Sequence, residues 1–200
     1  RGIFQVKDGG HLIVDGDITL SAAASATNCQ LTANVLNSGT QNQVDISGSI
    51  SGTAGVVSGA NGAGPHNSLF NFNGTSAQII NVNSSYTATY GDVEINNTSP
   101  VTTDSAFTSS NLLGYFTVNS GTFTHAYSHE FSDSVANHAT YNVSDSMDIE
   151  GSFTNTGTLT SSGSRINLAG DWNNSGTYTY FAGDTVTFDG SSLQSITGST

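Results

Sequence analysis

The chain has 200 residues, only 9% of them charged, and three basic residues stand against fifteen acidic ones for a net charge of −12. Arg1, Lys7 and Arg165 cannot make a phosphate-neutralising surface, which argues against nucleic-acid binding and against adhesion to an anionic membrane. Cys29 is alone, so there is no intrachain disulfide, and no apolar run approaches the ~20 residues of a membrane-spanning helix.

The polar balance is Ser, Thr, Asn and Gly, interleaved throughout with aliphatic and aromatic residues, a composition of strands and turns. Neither an initiator Met nor a signal-peptide pattern opens the chain, so it reads as a piece of a longer one. In chain order, the apolar-x-Gly-x-apolar string "VDGDI" (14–18) recurs as "ISGSI" (46–50), "IEGSF" (149–153) and "LAGDW" (168–172), with a partial copy "FDGSS" at 188–192. A corner signal, "NSGT" or "NTGT", occurs at 37–40, 119–122, 155–158 and 174–177. The stretch 51–68, rich in Gly and Ala and containing Pro65, breaks the rhythm and is expected to be a loop or a joint between units. "FNFNGTSAQIIN" (70–81) then matches "VTFDGSSLQSIT" (186–197) at an offset of 116, with Phe72/Phe188, Gly74/Gly190, Gln78/Gln194 and Ile80/Ile196 coinciding. This overlay divides the chain into three parts: coils 1–68, one long unit 69–184, and the first coil of another unit at 185–200. The stretch 125–140, "HAYSHEFSDSVANHAT", is expected to be a second excursion from the rhythm.

The clearest copies are "DIEGSFTNTGTLT" (148–160) and "NLAGDWNNSGTYT" (167–179), nineteen residues apart. Met147, Ile149, Gly151 and Phe153 alternate with polar residues and match Ile166, Leu168, Gly170 and Trp172, the period of a half-buried strand. Asn and Gly at the following corner tolerate a left-handed backbone, and a second short strand follows at 158–160 and 177–179. Near-identical units about 20 residues apart point to a solenoid with parallel stacking. The expected fold is therefore all-β: a parallel, right-handed β-helix with coils of about 19–20 residues, forming a rod roughly 45–50 Å long. Ile149, Leu168 and Phe188 should stack in its core, as should Phe153 and Trp172, while Asn155 and Asn174 should bond along a corner.

These residues resemble repeats in very large surface proteins of Bacteroidota, in which "G-D-W-x-N-x-G-x-[FY]" is followed by "V-T-F-x-G-x-x-x-Q-x-I-x-G". The first motif falls on Gly170, Asp171, Trp172, Asn174, Gly176 and Tyr178, and the second on Val186, Thr187, Phe188, Gly190, Gln194, Ile196 and Gly198. The resemblance is strong over 147–200, fair over 69–124 and weak before that. It implies an adhesin-like stalk, secreted or held on the bacterial cell surface. Under that resemblance, Asp-[Ser/Thr]-apolar triplets at Ser105, Ser134, Ser146 and Thr185 are similar to O-glycosylation acceptors, although so Ser/Thr-rich a chain produces such triplets by composition alone.

Residues with chemical capacity are few. His125, His129, Glu130 and Asp133, with His138 close behind, form the one dense group that could hold zinc, and a solvated polar loop explains them as well. Asp15, Asp17, Asp145, Asp148 and Glu150 could offer oxygens to Ca²⁺, though outward carboxylates also serve solubility. Parallel β-helices also host polysaccharide lyases and hydrolases. A glycosidase would need two carboxylates at a set separation, and a lyase would need basic residues, of which only Arg165 lies within the clear coils. The expectation is accordingly no catalytic site and no cofactor. The pairs Thr122/Thr124, Thr158/Thr160 and Thr177/Thr179 would face outward around Phe123, Leu159 and Tyr178. Such columns resemble the surface of β-helical ice-binding proteins, but in sequence these coils are not all adjacent, and Thr is a good strand residue in any case.

The leading expectation is a structural stalk whose partners are other segments of the same long chain. The alternative is a module that binds a glycan or a cell-surface partner through an outward face or the 51–68 stretch. Clustered, solvent-facing Tyr127, Tyr178 and Tyr180 would favour the alternative. Lateral packing into a filament is the third reading.

Overall fold

The computed structural model describes residues 2–20, 29–33, 40–52, 56–59, 65–80, 87–107 and 111–198. Short alternating runs separated by small and polar residues build strands that turn a corner every few residues. The first coil holds β1 (Gly2–Val6), β2 (His11–Val14) and β3 (Ile18–Leu20), and the second β4 (Cys29–Ala33), β5 (Asn42–Ile46) and β6 (Ile50–Gly52). The third holds β7 (Val56–Ser58), β8 (Ser68–Phe72) and β9 (Gln78–Ile80), and the fourth β10 (Thr87–Thr89), β11 (Asp92–Ile95) and β12 (Val101–Thr103). The fifth holds β13 (Phe116–Val118) and β14 (Thr122–His125), and the sixth β15 (His129–Phe131), β16 (Val135–Asn137) and β17 (Thr140–Val143). The seventh holds β18 (Met147–Ile149), β19 (Phe153–Asn155) and β20 (Thr158–Ser161), and the eighth β21 (Arg165–Leu168), β22 (Trp172–Asn174) and β23 (Thr177–Thr179). The ninth holds β24 (Thr185–Phe188) and β25 (Ile196–Gly198).

Among the described residues every strand pairing is parallel. The second face of the coil is one sheet, β2-β5-β8-β11-β13-β16-β19-β22-β25, and the third is β23-β20-β17-β14-β12-β9-β6-β3. The first face is divided into β1-β4-β7-β10 and β15-β18-β21-β24. At the break, in the fifth coil, Leu112 bridges Tyr90, and the Phe107 carbonyl accepts the Glu130 N–H at 3.1 Å. The molecule is a parallel β-helix.

The expected stacks are present. Ile149 pairs with Leu168 and Leu168 with Phe188, while Phe153 pairs with Trp172. Ile149, Phe153 and Leu168 are fully buried, Trp172 is buried and Phe188 is half-buried at the upper end. The Asn155 amide donates to Asn174 Oδ1 at 2.7 Å, and Asn137 extends the ladder downward by donating to Asn155 Oδ1 at 2.7 Å. In the fifth coil, where the described residues include no first-face strand, Phe107, Phe116, Phe123, Phe131 and Tyr141 fill the interior, with ring centroids from 4.8 Å (Phe116–Phe123) to 6.3 Å (Phe107–Phe131) apart.

Coil length differs from the expected 19–20 residues over much of the rod. Second-face partners lie 32 residues apart at His11↔Gln43, 26 at Gln43↔Leu69 and 23 at both Leu69↔Asp92 and Val93↔Phe116. The interval falls to 19 at Phe116↔Val135, 18 at Val135↔Phe153 and 19 at Phe153↔Trp172, and rises to 24 at Trp172↔Ile196. The surplus residues lie outside the second-face strands, which stay three to five residues long. Nine strands on that face span about 38 Å, shorter than expected because the lower coils use more chain per turn.

Three further expectations are corrected. The strand predicted across 147–153 is two strands on different faces, β18 and β19, with a corner at Gly151. A side chain at Gly151 would strike the Ser134 backbone N at 2.5 Å, and one at Gly157 the Ala139 carbonyl oxygen at 2.1 Å. Space against the coil below is therefore what these corners require, because among the described "N-x-G-T" corners only Gly121 has a left-handed backbone, with φ 70°. The corner at 37–39 lies outside the described residues. The 51–68 stretch is not a single loop: Val56–Ser58 is a strand paired with β4 and β10, and Pro65–Asn67 is a 3-10 turn. The 125–140 stretch is no excursion either; it forms most of the sixth coil, because His129, Phe131, Val135 and Asn137 alternate inward.

The 116-residue copies do not stack vertically. Phe72 and Gln78 lie on the second and third faces, whereas Phe188 lies on the first and the segment ending in Ile196 leads to the second. What the copies share is a local bonding unit. Gln78 Oε1 accepts the Gly74 N–H, and its amide donates to the carbonyls of Ile46 (2.8 Å) and Gly48 in the coil below. Gln194 repeats this with Gly190, Leu168 (2.7 Å) and Gly170 (2.6 Å).

Candidate functional site

The four metal candidates do not converge. His125 and His129 end and begin adjacent strands at one corner, and both rings point into the core, 4.5 Å apart. The Tyr141 hydroxyl lies 3.0 Å from His125 Nδ1, and Thr103 Oγ1 lies 3.2 Å from His129 Nε2. Among the described residues, His125 Nε2 is buried with no hydrogen bond of ordinary geometry, though the Asp145 backbone lies near enough to favour the charged ring slightly. Burial, reinforced by the neighbouring His129, lowers the His125 pKa to about 3. Burial lowers that of His129 to about 4. Both rings are therefore neutral core groups, which replaces the solvated-loop reading. Glu130 points outward, and Asp133 Oδ1 caps the Ser134 N–H at 2.6 Å. Among the described residues no group of three or more His, Cys, Asp or Glu is placed to hold a metal.

The calcium candidates are dispersed. Asp17 Oδ1 accepts the Ser49 N–H at 2.7 Å, Asp145 Oδ1 accepts the Ser146 N–H at 2.7 Å, and Asp15 is exposed. Glu130, Asp148, Asn167 and Thr187 share one outward column on the first face. Partial burial raises the Asp148 pKa, with Asp189, Glu150 and Glu130 adding like-charge repulsion. Among the triplet residues, Ser105, Ser134 and Ser146 are half-exposed and Thr185 is exposed; Ser134 Oγ already accepts the Ser152 N–H at 3.0 Å. Arg165 is an exposed strand residue paired with Thr185.

The tyrosines do not form one platform. Tyr178 is half-buried, with its ring centroid 5.5 Å from Trp172 and 6.0 Å from the exposed Tyr180. Tyr127 is exposed at the corner between the fifth and sixth coils, and among the described residues it makes no ring contact with either.

One constellation carried no sequence signal. His66, in the 3-10 turn, stacks on Tyr115 at 4.2 Å, with Nδ1 2.7 Å from Asp92 and Nε2 3.3 Å from Asp133. Gln41 donates to Asp92 Oδ2 at 2.6 Å, and the Tyr115 N–H donates to Asp92 Oδ1 at 2.9 Å. The turn thus ties the third coil to the fourth, fifth and sixth beside the break in the first face. Its members lie as far apart as Gln41 and Asp133, so no short window of sequence contains them.

The third face carries the most regular surface. Thr122, Thr140, Thr158 and Thr177 are successive ladder partners, as are Thr102, Thr124, Asn142, Thr160 and Thr179. Phe123, Tyr141 and Leu159 lie between the two columns and are fully buried; Tyr178 is half-buried. The Thr-x-Thr pairs separated in sequence are therefore on adjacent coils, with Thr140 and Asn142 filling the sixth. No family model, curated protein or solved structure matches the chain.

Proposed function

We propose that this chain is a stalk segment of a secreted or cell-surface, adhesin-like repeat protein of bacterial origin, a non-enzymatic spacer that carries another part of a longer chain away from the cell. The observation that supports this reading best is the unbroken second-face ladder of nine parallel strands. Each coil covers the apolar face of the one below, so stiffness and length both grow by adding coils. The resemblance of 147–200 to Bacteroidota surface repeats supports the location. The His66 turn adds a brace where the first face is divided. A glycan- or partner-binding module draws less support, because the exposed tyrosines sit at separate places. Immunogold labelling of this segment on intact cells, with electron microscopy of the secreted full-length protein, tests the proposal. The expected result is label on a rod between the envelope and a distal domain. Intracellular label, a globular tip, or specific retention of a glycan by this segment would count against it.

A further inference from the structure

We propose that the third face, from the fourth to the eighth coil, binds the surface of ice. Its nine outward strand positions are Thr102, Thr122, Thr124, Thr140, Asn142, Thr158, Thr160, Thr177 and Thr179, and none is charged. Over the same coils Glu130 and Asp148 stand outward on the first face and Asp92 and Glu94 on the second, in a chain of net charge −12. From the fifth to the eighth coil the second face is uncharged as well, but Thr117, Ala136, Thr154 and Asn173 form a single mixed column rather than a paired Thr array. The third face is thus matched to an uncharged partner, while the carboxylates of the other faces hold their own hydration.

The array is regular in both directions. Parallel pairing sets rows ~4.8 Å apart along the rod, and alternation sets the two columns ~6.6 Å apart along each strand. From the fifth to the eighth coil the register does not slip: Thr122, Thr140, Thr158 and Thr177 remain direct partners. These spacings approach the repeat distances of oxygen atoms on a prism face of ice. Each Thr presents a hydroxyl that both donates and accepts, beside a methyl group. β-branching restricts its rotamers, so little side-chain freedom remains to be lost on binding. Among the described residues, the Thr124 hydroxyl accepts from Asn142 Nδ2 at 3.2 Å, and the side-chain hydroxyls of the other seven threonines make no hydrogen bond within the protein. Their hydroxyls face water, and buried Phe123, Tyr141 and Leu159 fix the backbone beneath them.

The test is incorporation of the 200-residue chain into slowly grown ice, with inhibition of ice recrystallisation as a second readout and an acidic protein lacking such an array as the baseline. Thr158→Tyr disrupts the centre of the array, and Thr154→Tyr places the same bulk outward on the second face. Circular dichroism and melting verify both folds; Thr177→Lys replaces Thr158→Tyr if that variant is unfolded. The expected result is several-fold enrichment of the wild type in ice, loss of that enrichment in Thr158→Tyr and retention in Thr154→Tyr. Exclusion of the wild type from ice, or equal loss in both variants, overturns the proposal. Self-association abolished by Thr158→Tyr, with no incorporation into ice, overturns it in favour of a second copy of the chain on this face.

Discussion

Trp172 lies over Phe153 with ring centroids 4.9 Å apart and is 7% exposed. Trp172→Ala is predicted to cost about 3 kcal/mol in denaturant unfolding, the low end for a buried aromatic, because the end coil above it is open. A loss near 1 kcal/mol would place the ring outside the core. His125 and His129 make a second residue-scale prediction. Burial depresses their pKa values from 6.5 to about 3 and about 4, so as pH falls below 6.5 the unfolded chain takes up protons first. Stability that is complete above pH 6.5 is therefore lost progressively toward pH 3–4. The melting temperature should fall over this range, and the double variant His125→Leu/His129→Leu should show a flatter profile. The Asp145 carboxylate, which favours the charged form of His129, remains in both proteins. Equal slopes would mean the rings are not neutral core groups.

At the scale of the element, the acidic column on the first face is a local cost of the stack. The folded state raises the Asp148 pKa through burial and the nearby Asp189, Glu150 and Glu130, so the folded state binds its proton more tightly than the unfolded state. Stability is consequently lost as pH rises through the window between the ordinary value of 3.8 and the raised one. Asp148→Asn should raise the neutral-pH melting temperature, and the gain should vanish below that window; a gain independent of pH would point to another cause. Strands themselves were legible as inward and outward parity. The corner at Gly151 was not, because a bend that preserves alternation leaves the period-2 pattern intact, and 147–153 then reads as one strand. Likewise "HAYSHEF" looks polar, yet its alternation puts two histidines inside beside Phe131. A neutral imidazole with a Tyr or Thr partner can occupy a core that composition alone assigns to solvent.

At the scale of the molecule, the 18-residue step from Val135 to Phe153 is one whole coil. Deleting 135–152 should join equivalent positions, set Phe153 above Phe116, and leave a cooperatively folding rod about 5 Å shorter by small-angle scattering. A molten or unfolded product would show that coils are not exchangeable units. The sequence by itself determined that the chain coils and which residues of 149–188 lie vertically adjacent, because near-identical units nineteen residues apart can satisfy their buried faces only by stacking like on like. Only the tertiary structure decided that each regular coil has three faces, that the 116-residue copies sit on different faces, and that His66 clasps Asp92, Tyr115 and Asp133. The physical reason is that stacking order follows from local repetition, whereas the angle turned at each corner and the partners met across it depend on how whole coils of unequal length close against one another.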